Sequence, residues 1–432
     1  MKQLCVISCP IDTHSGYGAR SRDLFKALYE LKKEEWEFQI LGQRWGVTPW
    51  GYIESQPEWQ WLKPMINKTG QLQRQPDVWI QVTVPNEFQP IGKYNIGVTA
   101  GIETTICDPS WIEGVNRMNV TLVSSKHAKT VFEQSQFEKR DQQGNTLEHI
   151  KLQKPVEVLF EGVDLGKYFH IEDEDIEETE LVKQLDEIKE SFCYLFVGHW
   201  LQGEIGEDRK NVGLMLKSFF ETFQNKKEKP ALILKTSGAG ASIMDREEIL
   251  KKIDAIRNSV GENLPNVYLL HGELSDEDMN RLYNHKKVKA MYNLTKGEGF
   301  GRPILEFAMA KKPIIVSAWS GHMDFLDQEL SCLIGGELNK IHPSAVVQNM
   351  ILADSQWFSP NISQAKDYLK DVYENYKRYK ELAKQQSHKC KTNFNFDKMK
   401  DLLAKYLDSV PKQVQLQLPK LKKIELPKLN KI

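Results

Sequence analysis

Glu298-Gly-Phe-Gly-Arg-Pro-Ile-Leu-Glu306 decides how this chain reads, because it sets two carboxylates eight positions apart around a Gly-x-Gly turn that closes on a proline. Just upstream, Val288-Lys-Ala-Met-Tyr-Asn293 reads as a short buried strand. Just downstream, Pro303 to Lys311 reads as a helix, since proline fits the first helical position, where its missing N–H is no loss. Strand, glycine turn and helix start make an anion site: unpaired amides and the positive dipole end face whatever occupies the turn. A carboxylate accepts hydrogen bonds and repels phosphate, so two of them here point to a ligand with hydroxyls on both sides of its phosphates. A nucleotide sugar, with a ribose at one end and a hexose or pentose at the other, has that form.

Outward from this stretch, strand and helix alternate twice. At 432 residues the chain is too long for one hydrophobic core, and two domains are expected. In the first half, strands are expected at Leu4 to Ser8, Phe38 to Leu41, Val78 to Val82, Asn95 to Thr99, Val120 to Val123 and Val156 to Leu159. In the second, they are expected at Tyr194 to Val197, Ala231 to Lys235, Val267 to Leu270, Val288 to Asn293 and Pro313 to Ser317. Two βαβ series imply an α/β chain with two Rossmann-like, doubly wound parallel sheets, whose ligands sit beyond the carboxyl ends of the strands. The divisions expected are a first domain over 1–170, an acidic linker over 171–190 and a second domain over 191–390. A helix over 391–410 returns to the first domain, and a basic tail covers 411–432.

Composition narrows the function classes. The longest apolar runs, such as Tyr194-Leu-Phe-Val197, are strand-sized, so no transmembrane segment is expected. Leu4-Cys-Val-Ile7 is too short for a signal peptide and reads as a first buried strand. Six scattered cysteines show no C-x-x-C pair and no zinc spacing, which suits reduced thiols in a cytoplasmic protein. With a formal net charge of −1, the chain as a whole is no polyanion binder. Asp173-Glu-Asp175 has the D-x-D form of a metal motif but lies in the acidic linker, where a solvated charge run explains it; no metal site is expected.

The 298–306 stretch resembles the E-x7-E motif of the retaining glycosyltransferases of family 4, which have the two-domain GT-B architecture. The resemblance implies that Glu306 holds the donor ribose. It implies further that Glu298 contacts the donor sugar near the reacting carbon, and that the Gly299, Phe300 and Gly301 backbone binds sugar hydroxyls or phosphate. Ser15-Gly-Tyr-Gly-Ala-Arg20 resembles the glycine loop with which the N-terminal domain of such enzymes closes on donor phosphate or acceptor, which makes Gly16 and Gly18 candidates. Asp208-Arg-Lys-Asn-Val-Gly213 resembles the cationic loop that meets the leaving diphosphate, through Lys210 and Arg209. Family members commonly carry G-R at the preceding strand end; here it is Gly198-His199. Either His199 substitutes, Arg209 covers both roles, or catalysis is weakened.

Glu103-Thr-Thr-Ile-Cys-Asp-Pro-Ser-Trp111 resembles a segment at the acceptor side of the cleft, where Glu103 orients an acceptor hydroxyl, balances charge near the reacting carbon, or is structural. Gly162-Val-Asp164, with Phe169, resembles the turn that ends the N-terminal domain in that family. Trp319-Ser-Gly-His-Met-Asp324 stands where many relatives have G-G-x-x-E, with Asp324 acidic in kind and His322 unassigned. The expected catalytic set is Glu298, Lys210, Arg209 and Glu103. The donor-binding set is Glu306, Gly299, Phe300, Gly301, Gly16, Gly18, His199 and Lys235. The implied activity is metal-independent transfer from a nucleotide-diphosphate sugar to a saccharide or lipid-linked glycan, with no cofactor beyond the donor. Two alternatives remain: transfer to hydroxylated bases of DNA, and a degenerate nucleotide-sugar binding protein. The tail repeats Leu418-Pro-Lys-Leu-Lys-Lys-Ile424 as Leu426-Pro-Lys-Leu-Asn-Lys-Ile432, and reads either as solubilising or as a segment that docks a partner or an anionic surface.

Overall fold

Short runs of Val, Ile, Leu and aromatic residues become strands buried on both faces, and this dictates parallel sheets covered by helices. A computed structural model describes residues 2–412 apart from Gln202, Ala239 and Ala241. The N-terminal sheet comprises β1 (Gln3–Cys9), β2 (Trp36–Gly42), β3 (Val78–Val82), β4 (Tyr94–Thr99) and β5 (Val120–Val123). An outlying antiparallel hairpin of β6 (Phe137–Arg140) and β7 (Thr146–Ile150) precedes its last strand, β8 (Val156–Val158). These six strands run parallel in the order β2-β1-β3-β4-β5-β8.

The C-terminal sheet comprises β9 (Cys193–Val197), β10 (Ala231–Lys235), β11 (Val267–Leu270), β12 (Val288–Asn293), β13 (Ile314–Ser317) and β14 (Cys332–Ile334). Its parallel order is β11-β10-β9-β12-β13-β14. The order reverses between β9 and β12, and a ligand crevice opens at such a switch point beyond the strand ends. The loop with Arg209 and Lys210 follows β9, and Glu298 follows β12, so both arrive at that crevice.

The chain crosses back to the first domain at residues 394–396. Val163 N donates to Phe394 O (2.9 Å) and Phe396 N to Val163 O (2.9 Å), and a Cβ on Gly162 would stand 2.5 Å from Asn395 O. Helix Phe396–Leu407 then lays Phe396, Met399, Leu403 and Leu407 into the N-terminal core beside Leu28 and Phe25.

The β6–β7 hairpin, β14 and a further pair of strands were not expected from the sequence. Antiparallel β15 (Gly336–Lys340) and β16 (Gln356–Pro360) form an arm that reaches the N-terminal domain. Thr105 N donates to Gln356 O (2.9 Å), Gln356 N to Thr105 Oγ1 (3.0 Å), and Trp111 Nε1 to Asn349 O (3.0 Å). All of β15 is exposed, so it lacks the apolar alternation by which strands are read.

Among the described residues no helix is long and apolar enough to cross a membrane. All six cysteines are buried and unpaired. The repeat tail expected as a docking or solubilising segment lies outside the described residues from 413 onward.

Candidate active site

Four charged side chains meet at the switch point. Lys210 Nζ donates to Glu298 Oε1 at 2.5 Å. Arg209 Nη1 lies 3.6 Å from Glu298 Oε2, 3.2 Å from Glu103 Oε1, and donates to Gly297 O at 3.1 Å. Glu103 comes from the N-terminal domain, just beyond β4, so the quartet spans both domains. Burial alone would raise the Glu298 carboxyl, but Lys210 and Arg209 outweigh it and bring it down to about 2. Lys210 is held below its usual range by burial and by the like charge of Arg209, against Glu298. The glycine turn fits this closure: a Cβ on Gly297 would stand 2.4 Å from Glu103 O, and one on Gly299 would stand 3.0 Å from Ala100 O.

Ser320 fixes the turn from behind. It occupies φ 78°, ψ −151°, a region nearly reserved for glycine. Its hydroxyl accepts from Glu298 N at 2.7 Å and donates to Trp319 O. Beside it, fully buried His322 donates from Nε2 to Ser317 O (2.6 Å), and its Nδ1 has no hydrogen-bond partner. Burial keeps this imidazole neutral, against Ser317 O and Glu298.

Glu306 lies in a second buried network. Arg302 Nε donates to Glu306 Oε1 at 2.8 Å, Arg302 Nη1 crosses the cleft to Asp23, and Tyr283 OH donates to Glu306 Oε2 at 3.4 Å. Burial pushes the Glu306 carboxyl up to about 7; Asp276 and Asp23 add to this and Arg302 opposes it. Burial works against charge on Arg302 too, but Asp23, Glu306 and Glu161 hold it firmly protonated.

The helix start expected to hold an anion is short. The helix after the glycine turn, Arg302–Ala308, has only seven residues, too short for a strong dipole, and Arg302 at its start is turned back to Glu306. The twelve-residue helix Val212–Phe223 opens at Asn211, next to Lys210. Asn211 is fully buried in a left-handed conformation (φ 55°), and neither polar atom of its side chain has a partner.

His199 and Lys235 lie close by. Burial, with Lys210, Lys235 and Arg209 around it, lowers the His199 imidazole against Glu273. Lys235 Nζ donates to Gly272 O at 2.7 Å, and burial lowers it against Glu273. Three cations therefore surround the position where the expected arginine is missing.

The Phe300 ring is buried with its centroid 5.2 Å from that of Phe325, which leaves its backbone, the part expected to bind, to face a ligand. Gly18 N is taken by the helix cap, donating to Ser15 Oγ at 3.0 Å, and a Cβ there would meet Thr13 O at 2.3 Å, so its glycine serves the turn. A side chain at Gly16 meets only open space, and this position stays open to a ligand. Asp324 accepts from Lys126 N at 2.9 Å, at the start of an N-terminal-domain helix, and so joins the domains. Asp173-Glu-Asp175 forms an exposed turn, and among the described residues no group of three or more His, Cys, Asp or Glu could hold a metal ion.

No family model matches the chain, and no curated protein matches it. Solved structures do resemble it along nearly its whole length. HepE of Anabaena, in complex with UDP and glucose, is 13% identical with a TM-score of 0.60, covering 94% of this chain and 100% of that one. A UDP-forming trehalose-phosphate synthase from Burkholderia xenovorans is 10% identical with a TM-score of 0.59, covering 95% and 99%. Sucrose-phosphate synthase from Thermosynechococcus elongatus is 10% identical with a TM-score of 0.57, covering 94% and 98%. With two facing six-stranded parallel sheets, the chain has the GT-B fold.

Proposed function

We propose that this GT-B chain is a retaining glycosyltransferase that moves a sugar from a nucleoside diphosphate to an acceptor hydroxyl. The observation that carries the proposal is the pair of buried carboxylates around one glycine turn at the switch point, Glu298 held by Lys210 and Glu306 held by Arg302. Glu306 accepts the ribose hydroxyls of the donor. The diphosphate lies against Lys210, Asn211 and the amides opening helix Val212–Phe223, with Lys235 and His199 alongside. The donor sugar rests on the Gly299–Gly301 backbone next to Glu298. Structures resembling the chain hold UDP, UDP with glucose, and UDP-glucose, which makes uridine and glucose the first donor components to try.

In the reaction, the acceptor oxygen bonds to the anomeric carbon while the bond from that carbon to the diphosphate breaks, its electron pair leaving with the diphosphate. The acceptor proton passes to the departing diphosphate oxygen, and Glu103 holds the acceptor hydroxyl by a hydrogen bond during approach. Lys210, Arg209 and the helix-end amides meet the charge that develops on the leaving group. Glu298, ion-paired to Lys210 at 2.5 Å, stabilises positive charge at the anomeric carbon. These side chains serve the diphosphate without a metal.

Full-length protein incubated with UDP-, GDP- and ADP-sugars and with mono- and disaccharide acceptors, with and without EDTA, tests the proposal. Release of nucleoside diphosphate from one donor, unchanged by EDTA, is expected. No release from any donor would favour a binding protein, for which His199 in place of the usual arginine is the argument. Loss of activity in EDTA and recovery with Mn²⁺ would overturn metal independence.

A further inference from the structure

Just after β2 the N-terminal domain places large apolar side chains where water reaches them. Residues 43–51 form a tight loop, in which Thr48 donates to Trp45 O from N at 3.1 Å and from Oγ1 at 2.6 Å. Val47 at its tip is 75% exposed. His14 N donates to Pro49 O (3.0 Å) and Gly51 N to Asp12 O (3.0 Å), which ties this loop to the glycine loop after β1. The Trp45 ring lies on the Tyr17 ring, with centroids 3.9 Å and planes 22° apart, and is only half-buried. Trp50 is 40% exposed and has the Arg44 guanidinium 4.9 Å from its ring centre. Gly16, between them and the cleft, is exposed and has nothing within 4 Å of where a Cβ would stand.

We propose that Trp45 and Trp50 form an aromatic acceptor subsite, and that the acceptor is a neutral oligosaccharide of two or more sugars. The proposal rests on the reading of the chain as a glycosyltransferase and names its substrate class. Its first support is position. Tyr17, which carries Trp45, reaches the end of β4: its hydroxyl pairs with Thr99 Oγ1 at 3.0 Å and accepts from Ala100 N at 3.1 Å. Ala100 O is the atom that a Cβ on Gly299 would approach to 3.0 Å, and Glu103 follows three positions later. The aromatic surface is thus continuous with the turn proposed to hold the donor sugar. An acceptor with one hydroxyl at Glu103 extends its next rings along Tyr17 to Trp45 and Trp50.

The second support is chemistry. Exposed apolar surface gathered on one loop marks an interaction site, and a flat indole offers a face to the C–H groups of a pyranose. Tyr17 and Arg44 each brace one indole, so little ordering is left to binding. The third support is charge. Over residues 43–65, Arg44 and Lys63 are matched by Glu54 and Glu58, and Lys63 is already paired with Glu54 at 2.7 Å. A surface without basic excess does not hold a polyanion such as DNA, whose binding depends on cations along its backbone.

The test uses full-length protein saturated with UDP, GDP or ADP, whichever binds. Saturation-transfer NMR titrations then compare glucose and N-acetylglucosamine with maltotetraose, cellotetraose and chitotetraose. At least one tetrasaccharide should bind wild type, and more tightly than its monosaccharide. Trp45→Ala and Trp50→Ala should each weaken that binding about fivefold or more, while nucleotide affinity stays within about twofold. Trp45→Phe, which keeps a ring on Tyr17, should recover most of the loss. If Trp45→Ala does not fold, Trp50→Ala, at an exposed side chain, decides alone. Nucleotide binding without saccharide binding, equal affinity for mono- and tetrasaccharide, or affinity undiminished in the folded variants would overturn the subsite and leave the donor reading standing. Variant-sensitive binding of single-stranded hydroxymethylated DNA instead of sugars would overturn it as well. If no nucleoside diphosphate binds, the glycosyltransferase reading falls and this inference falls with it.

Discussion

Arg302 holds Glu306 through Nε at 2.8 Å and, through Nη1, Asp23 of the opposite domain. One guanidinium therefore ties the proposed ribose carboxylate to the closure of the cleft. On the proposed donor site a ribose would compete for the same carboxylate, which would link donor binding to this contact between the domains.

Glu306 also makes a prediction about stability. Its folded-state carboxyl, at about 7, lies above the ordinary 4.5, so the fold favours the protonated form. Stability from this group is therefore lost as pH rises from 4.5 through 7, and the penalty is complete above that. Glu306→Gln should be as stable as wild type near pH 4.5 and more stable at about pH 8, by roughly 2–3 kcal/mol. Urea denaturation at the two pH values measures it. A variant less stable than wild type at the higher pH would show that Arg302 outweighs burial.

Lys210→Met strands the buried Glu298 carboxylate with only Arg209 at 3.6 Å. It should cost about 3 kcal/mol, and adding Glu298→Gln should recover most of that, because the charge is then gone as well. Turnover should drop on the order of 100-fold or more in both variants, since leaving-group charge is no longer met. Recovery of turnover with stability in the double variant would assign Lys210 a structural role alone.

Gly297→Ala would place a Cβ 2.4 Å from Glu103 O in the opposite domain. Each domain should stay folded while the cleft is propped open. Small-angle scattering should record a larger radius of gyration, with turnover lost and the melting transition retained. An unchanged radius would mean that the Glu103 loop yields.

How much of this was legible in the sequence follows from the physics of each part. Sheet strands could be read because parallel strands are apolar on both faces, as in Val78–Val82, where every residue is buried. The two glutamates stood out because Gly-Phe-Gly-x-Pro leaves little choice of backbone. Arg302 lay inside the same motif, but its partner Asp23 is 279 residues away on a helix read only by its apolar face. Asn211 and Ser320 carry their meaning in positive φ angles, which neither residue type announces. Strand β15 was hidden because it is exposed on both sides.

Ser320 yields a sharper test of local strain. Ser320→Ala loses the bond to Glu298 N and keeps the unfavourable φ, whereas Ser320→Gly loses the bond and relieves the strain. The glycine variant should be the more stable of the two by roughly 1–3 kcal/mol, as thermal unfolding would measure. Equal stabilities would show that the backbone relaxes once the hydroxyl is gone.

The most direct test of the account is a calorimetric titration of UDP, GDP and ADP into wild type and into Glu306→Gln at about pH 8. One nucleotide should bind wild type, and the variant should bind it more weakly by roughly 1.5–3 kcal/mol, the worth of a charge-assisted hydrogen bond. Equal affinity in a folded Glu306→Gln protein would contradict a donor ribose at Glu306 and with it the placement of the donor along the 298–306 turn.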